Sequence, residues 1–472
     1  MPLTFRERLS ERAVPLIVAT ALLMQNLDSS ILSTSLPEIA RDLGSDPIHL
    51  KLALTSYLLA LAIFIPASGW AADRFGARRV FRWAIVVFAA GSIACGLSDS
   101  LGTLVAARVL QGIGGSMMTP VGRLLVLRST PRTGLVAALA WLTIPALLGP
   151  VLGPPLGGFI TTFAHWRWNF WINLPIAVAG VLLATAFIPD ISAGRRPTFD
   201  RIGFLLLGPG LAAFLTGVTL AGLNLAPPAL LAMLTLAGVG LLVSYVFHAR
   251  RHVSPLVDLS LLRLPTFRAS VTGGMLFRFG TGALPFLLPL MFQLGFGLSP
   301  FQSGMMTFAS GVGAMLMKFL AQPILRRFGF RRVLTGSAVL SSVFILAPAT
   351  FTPATPWFWM IALLFLGGLL RSLLFTSLSA IAYAEIPQER LSSAASFTAV
   401  LQELSGTIGI TIAAFGLEAM QLVSGSGAIE LAHCPAVFVL VAAISLMASV
   451  VLARLPADAG ASLLIRTGPA GA

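Results

Sequence analysis

The 472-residue chain is too apolar for a water-soluble protein, because 57% of its residues are hydrophobic and only 10% are charged. Its net charge of +14 does not indicate nucleic-acid binding, since the basic residues are spread over short segments between long apolar runs. Two distant cysteines exclude a disulfide scaffold, the five histidines are interpreted as scattered, and no catalytic motif is present, so neither an enzyme nor a metal site is expected.

Apolar runs of about 20 residues recur along the chain, the length that crosses a ~30 Å hydrocarbon layer as a helix. They are too long and too continuously apolar for the strands of a membrane barrel. The first run extends to about residue 36 and contains Asp28, so we interpret it as a retained span rather than a signal peptide. We predict an all-α polytopic membrane protein with about fourteen spans, near residues 13–36, 50–70, 80–98, 101–122, 135–160, 168–188, 203–222, 228–248, 270–292, 301–322, 332–351, 357–382, 393–417 and 433–453.

The basic residues predict the orientation of these spans. With the N-terminus inside, 23 of the 31 Lys and Arg fall in inner segments and only three fall in outer segments. By the positive-inside rule both termini are then cytoplasmic, and the number of spans is even. We expect a multi-pass protein of the bacterial inner (cytoplasmic) membrane.

A short repeat divides the chain into related halves. Residues 74–80 read R-F-G-A-R-R-V, and residues 327–333 read R-F-G-F-R-R-V. We predict an N-terminal six-helix bundle over 1–190, a central insertion with two extra helices over 191–268, and a C-terminal six-helix bundle over 269–472. Halves related in this way are expected to hold a substrate site at their interface near the middle of the membrane.

Four segments carry recognisable motifs, taken here in chain order. Residues 27–37 read L-D-S-S-I-L-S-T-S-L-P, 69–79 read G-W-A-A-D-R-F-G-A-R-R, 108–112 read R-V-L-Q-G, and 149–158 read G-P-V-L-G-P-P-L-G-G. The second resembles the loop signature of the major facilitator superfamily. The other three resemble the first-, fourth- and fifth-helix motifs of its fourteen-helix drug:proton antiporter branch. The resemblance covers the whole chain and implies the major facilitator fold, with the proton gradient as energy source and no cofactor.

The deep carboxylates are the candidates for proton coupling. Asp28 lies near the centre of the first span, where a charge is costly and by default functional. Arg108 is expected at a similar depth on the outer side of mid-membrane, so the two either couple to a proton or form a static ion pair. Glu403 is a second candidate for protonation or a counter-charge for a cationic substrate; otherwise it is neutralised within its own half, for instance by Arg371.

Three further polar residues are candidates for the substrate cavity. Gln111 can donate to substrate or to the partner of Arg108, or it can serve packing alone. Arg278 and Arg371 favour an anionic or zwitterionic substrate if they line the cavity. If they pair with carbonyls or with Glu403, they carry no information on the substrate.

The loop motif implies a conformational latch, and the fifth-helix motif implies an export-type helix interface. The latch comprises Gly69, Asp73, Arg74, Gly76, Arg78 and Arg79, with Asp73 able to meet arginines or a helix N-terminus. The alternative is that its arginines only set orientation. The antiporter motif comprises Gly149, Pro150, Gly153, Pro154, Gly157 and Gly158. Glycines four residues apart share one helix face, which serves either two moving bundles or simple close packing.

The function that these patterns favour is proton-coupled efflux of small amphipathic compounds or drugs by alternating access. The alternative is export of a charged metabolite such as an organic acid or an iron chelate. A channel is disfavoured, because it needs neither two motif-bearing halves nor a latch. The expected partners are the small-molecule substrate, protons and the lipid bilayer, with no nucleic acid. A periplasmic adaptor is a candidate partner only by analogy with the fourteen-helix drug:proton antiporter branch. The protein is expected to be monomeric.

Overall fold

The computed structural model describes residues 5–129, 135–189, 199–220, 226–252, 255–387, 390–426 and 430–460. Within these ranges the chain forms α-helices joined by turns and short 3-10 segments, and no strand occurs in them. The helices are α1 Phe5–Asp42, α2 Lys51–Phe64, α3 Ser68–Phe75, α4 Ala77–Gly96, α5 Leu101–Ser129, α6 Leu135–Phe163, α7 Trp168–Trp171, α8 Asn173–Phe187, α9 Arg201–Leu220, α10 Pro228–Arg251, α11 Pro265–Leu290, α12 Pro300–Phe328, α13 Phe330–Leu346, α14 Trp357–Ala382, α15 Leu391–Ser424 and α16 Cys434–Ala453.

The predicted all-α membrane fold is confirmed. In the described ranges twelve helical segments are long and apolar enough to cross a membrane, some of them built from consecutive helices such as α2 and α3. Two further helices, α5 and α6, have 29 residues each. Arg108 and Arg123 reduce the apolarity of α5, and within α6 the segment Val151–Phe163 is a shorter apolar helix. With these two helices included, the structure is compatible with the fourteen predicted spans.

The sequence repeat corresponds to a repeated backbone turn. Gly76 has a φ of 89° and separates α3 from α4. Gly329, at the matching position of the second copy, has a φ of 74° and separates α12 from α13. A residue with a Cβ rarely adopts this left-handed region, so each copy needs glycine where one helix ends and the next begins.

The chain forms two compact units. The first comprises Met1–Val257 and Pro289–Met305, and the second comprises Asp258–Leu288 and Met306–Ala472. The extra helices α9 and α10 belong to the first unit, where the rings of Phe64 and Phe204 approach to 6.0 Å between centroids and join α9 to α2. The three-part division at residues 190 and 268 stays a prediction.

Candidate functional site

An ion pair between α1 and α5 lies at the centre of the candidate site. Arg108 Nη1 donates to Asp28 Oδ2 at 2.6 Å, and both side chains are only 1% exposed. The two residues are 80 positions apart in sequence but meet because α1 and α5 pack side by side in the first unit. A buried ion pair of this kind is stable only when the remaining donors and acceptors are also satisfied.

The remaining hydrogen-bond capacity of Asp28 is filled by two amides. Gln111 Nε2 and Asn173 Nδ2 each donate to Asp28 Oδ1 at 2.8 Å. Both amides also donate to Ser92 Oγ, at 2.7 and 3.0 Å, and the carbonyl of Gln111 accepts from Arg108 at 2.6 Å. We call these five buried residues, from α1, α4, α5 and α8, the Asp28 cluster. Its side chains satisfy one another without solvent, as a buried polar network requires.

Arg108 is also held by two contacts with α2. Its Nε donates to the backbone carbonyl of Ala53 at 3.1 Å. The guanidinium carbon lies 4.3 Å from the ring centroid of Tyr57, within the range of a cation–π contact. Arg108 is therefore tied to α2 and α5 by contacts that do not involve Asp28.

The geometry defines what a proton at Asp28 would require. Oδ2 accepts from Arg108, and Oδ1 accepts from two amides, so both oxygens of the carboxylate already have donors. A proton on Oδ2 would need the contact with Arg108 to open.

Sequence reasoning placed Asp28 and Arg108 at similar depth but missed Ser92, Asn173 and Tyr57. Gln111 was predicted to donate either to substrate or to the partner of Arg108, or to serve packing alone. In the structure the Gln111 side chain is fully buried and donates to Asp28, which is the partner of Arg108. The sequence contains one indication of Asn173, which with Asn169 is one of two amides in the otherwise apolar span predicted at 168–188. Ser92 gives no such indication, since serine is common in packed membrane helices.

Glu403 lies on α15 in the second unit and is not a member of the Asp28 cluster. Its carboxylate has no ion pair among the described residues, and Arg278 of α11 is the cation whose charge acts on it. Arg371 of α14, the partner considered from the sequence, donates instead to the hydroxyl of Ser310. The second unit therefore holds a loosely partnered acid together with two deep arginines.

A cleft in the second unit brings Arg278 next to several polar groups. Its lining includes Ser270, Tyr383, Thr398 and Gln402. The buried Nε of Arg278 has no hydrogen-bond partner within the described residues. Its guanidinium carbon lies 5.3 Å from the ring centroid of Phe375. The cleft is thus lined by an arginine that has a hydrogen-bond donor to spare among the described residues.

The latch residues lie where α3 meets α4. Arg78 Nη1 donates to the carbonyl of Ile188 at 3.0 Å, which ties the start of α4 to the end of α8. Asp73 is half-buried and Gly76 supplies the turn. The other latch residues, Gly69, Arg74 and Arg79, are exposed. A Cβ added at Gly69 would meet nothing within 4 Å, so close packing does not explain that glycine.

The antiporter-motif glycines form the contact of α6 with α1. A Cβ added at Gly149 would lie 2.5 Å from Asn26 Cβ, and one added at Gly153 would lie 2.3 Å from Ser30 Cβ. A Cβ added at Gly157 would lie 2.5 Å from the Ile31 carbonyl oxygen. Such separations are too short for any non-bonded contact, so a side chain there would force the helices apart.

The rest of the motif meets the first turn of α12, within the first unit. A Cβ added at Gly158 would lie 2.4 Å from the carbonyl oxygen of Pro300. One added at Gly304 would lie 2.2 Å from the carbonyl oxygen of Pro154. The side chain of Pro150 lies outside the described residues.

Comparisons with known proteins agree with this architecture. The family model of the Major Facilitator Superfamily matches residues 18–267 and 270–468. The "Putative multidrug resistance protein MdtD" of Klebsiella pneumoniae is 39% identical over 459 residues, which cover 95% of this chain and 96% of that protein. The protein of the same name from Escherichia coli is 39% identical over 419 residues, covering 87% and 88%.

Solved structures with the same fold include two transporters. A D-xylose-proton symporter has a TM-score of 0.68 and 15% identity, covering 95% of this chain and 98% of its own. The human organic anion transporter MFSD10 has a TM-score of 0.62 and 18% identity, covering 94% and 99%. At these identities the likeness is one of fold alone.

Proposed function

The chain belongs to the major facilitator superfamily, and on that premise we propose that it exports small amphipathic compounds in exchange for protons. Two observations support export of this substrate class. The relatives at 39% identity are named for multidrug resistance. The motif at residues 149–158, which lies on α6, resembles the fifth-span motif of antiporters. Proton coupling rests on the Asp28 cluster described above.

The single observation that carries the proposal is the buried pair of Asp28 with Arg108. Arg108 also contacts α2 through the Ala53 carbonyl and the Tyr57 ring, and neither contact involves Asp28. Asp28 belongs to α1, which packs closely on α6 through the glycine face. We therefore assign the moving part to α1 together with α6, whose displacement separates the carboxylate from the guanidinium.

The proton cycle follows from that separation. When Asp28 leaves Arg108, its carboxylate loses its strongest donor in a medium of low dielectric and takes up a proton. When α1 returns, the guanidinium stabilises the charged form and the proton is released. If the two states face opposite sides of the membrane, each cycle moves a proton inward while substrate moves outward, as alternating access requires.

The proposal includes location and assembly. We place the protein in the bacterial inner membrane as a monomer. The bias of basic residues predicts that both termini are in the cytoplasm. No cofactor is required, because the proton gradient supplies the energy. A periplasmic adaptor remains an analogy with the antiporter branch.

Export of a charged metabolite is the second candidate, and the cleft beside Arg278 favours it. Its unpartnered Nε and the second deep arginine, Arg371, suit a carboxylate or a chelated anion. In this case Glu403 acts as a counter-charge that holds Arg278 in place when substrate is absent.

Inverted membrane vesicles energised by respiration distinguish the two candidates. Uptake of a panel of cationic amphipathic dyes and of small organic anions would be compared with vesicles lacking the protein. Uptake of the dyes supports the first candidate. Uptake confined to anions, together with its loss in Arg278→Gln, supports the second. No uptake of either class contradicts both.

A further inference from the structure

A cluster of three metal-ligating side chains lies at one end of the two extra helices. Asp200 directly precedes α9, His248 lies in the last turn of α10, and His252 follows that helix. Their ligand atoms all lie within 4.8 Å of one another. We propose that these three residues, the insertion cluster, bind a divalent transition-metal ion, for which Zn²⁺ is the probe.

The carboxylate of Asp200 is built into its position. Gly203 N donates to Asp200 Oδ1 at 2.8 Å, which caps the first turn of α9. A Cβ added at residue 203 would lie 2.1 Å from Asp200 Oδ2, so glycine leaves the space that the carboxylate occupies. Oδ2 is buried and has no hydrogen-bond partner among the described residues. A buried carboxylate oxygen without a donor is costly, and a cation would satisfy it.

The two histidines lie close together where α10 ends. His248 is in the last turn of the helix and His252 directly follows it. The ring centroids are 5.0 Å apart and the planes are inclined by 31°. His248 is largely buried, whereas the side chain of His252 is 38% exposed. The cluster is therefore open to solvent on the His252 side, which provides a route for an ion and a position for water.

The distances suit an ion with bonds of about 2.0–2.1 Å. Ligand atoms of a tetrahedral site with such bonds lie roughly 3.3 Å apart. His248 Nε2 lies 2.8 Å from Asp200 Oδ1, and His252 Nδ1 lies 4.0 Å from Asp200 Oδ2. One of these separations is shorter and the other longer than the roughly 3.3 Å of a tetrahedral site. Small side-chain rotations would therefore bring the three ligand atoms to metal-binding distances. Binding would replace the hydrogen bond between His248 and Asp200 and release its proton.

The ligand set points to the class of ion. Two imidazoles and one carboxylate favour Zn²⁺, Ni²⁺, Co²⁺ or Cu²⁺ over Mg²⁺ and Ca²⁺, which prefer sites made of oxygen ligands alone. Bound metal would join the start of α9 to the end of α10, on the side predicted to be cytoplasmic. The two extra helices would then move as one hairpin. This inference does not depend on the transported substrate or on proton coupling.

The test uses the full chain, purified without a polyhistidine tag, stripped of metal by chelation and titrated with Zn²⁺ in detergent. We expect one saturable ion per chain and an increase in thermal unfolding temperature on addition of Zn²⁺. His252→Asn should weaken binding at least tenfold and remove the temperature increase. Because His252 is exposed at a helix end, this variant is expected to fold, as its elution in size-exclusion chromatography would verify.

His49→Asn is the matched control, since His49 lies outside the cluster and should leave the stoichiometry and affinity unchanged. Asp200→Asn should also weaken Zn²⁺ binding, because an amide is a poor ligand for this ion. Absence of saturable Zn²⁺ binding by the wild-type chain would overturn the proposal. So would binding that is equally tight in His252→Asn, which would place the ion elsewhere.

Discussion

Asp28→Asn is expected to reduce proton-coupled efflux at least tenfold while the protein still folds. Asparagine keeps nearly the shape of aspartate and can still accept from one amide of the cluster. It cannot take up and release a proton, and it leaves Arg108 without its charged partner in a buried site. The measurement is substrate efflux from reconstituted liposomes under an imposed pH gradient.

Glu38→Gln is the matched control for that substitution. Glu38 also belongs to α1, but its side chain is 38% exposed and pairs with Arg41, which is four-fifths of a turn away on the same helix. An exposed pair of this kind contributes little, so efflux should match the wild type. Undiminished proton-coupled efflux in Asp28→Asn would remove Asp28 from the mechanism.

Gly153→Leu is expected to produce the largest structural effect. The first atom of the new side chain would already lie 2.3 Å from Ser30 Cβ, so α1 and α6 must separate along the whole glycine face. Overpacking typically costs about 1–3 kcal/mol. The nearby backbone atoms of Ser30 and Ile31 raise that cost here, because they cannot move aside as a flexible side chain can. Displacement of α1 also disturbs the pair of Asp28 with Arg108, so transport should fall together with thermal stability.

Gly240→Leu separates this effect from the general effect of adding a side chain to a glycine. Gly240 lies on α10, and a Cβ there would meet nothing within 4 Å. Replacing an exposed helical glycine removes its propensity penalty of about 1 kcal/mol, so stability should be unchanged or slightly higher. Equal unfolding temperatures for the two leucine variants would show that the close contact of α1 with α6 is not important.

Much of the fold follows from apolarity and charge, because lipid leaves helices as the only way to satisfy the backbone of these runs. Among the described residues α5, which contains Arg108, is not one of the twelve segments apolar enough to cross a membrane, because charged and polar side chains lower the mean hydropathy of the helix that carries them. The glycine turn at Gly76 and its repeat at Gly329 were also visible as a sequence motif.

The site was predictable only in part, since its members come from different helices. Asp28 and Arg108 are identifiable because charges in a span are rare. Asn173 and Ser92 have roles that depend on which helix packs beside them. The four-residue spacing of His248 and His252 was visible in the sequence but was interpreted as scattered. Their third partner, Asp200, lies 48 residues before His248 and becomes apparent only when α9 and α10 pack together.

The most direct test of the account is whether substrate drives proton movement through the wild-type protein. The protein would be reconstituted in liposomes with a pH-sensitive dye in the lumen, and a transported compound would be added across a pH gradient. We expect the compound to accelerate dissipation of the gradient in wild type and in Glu38→Gln, but not in Asp28→Asn. Transport of the compound without any change in proton flux would identify a facilitator and contradict proton antiport.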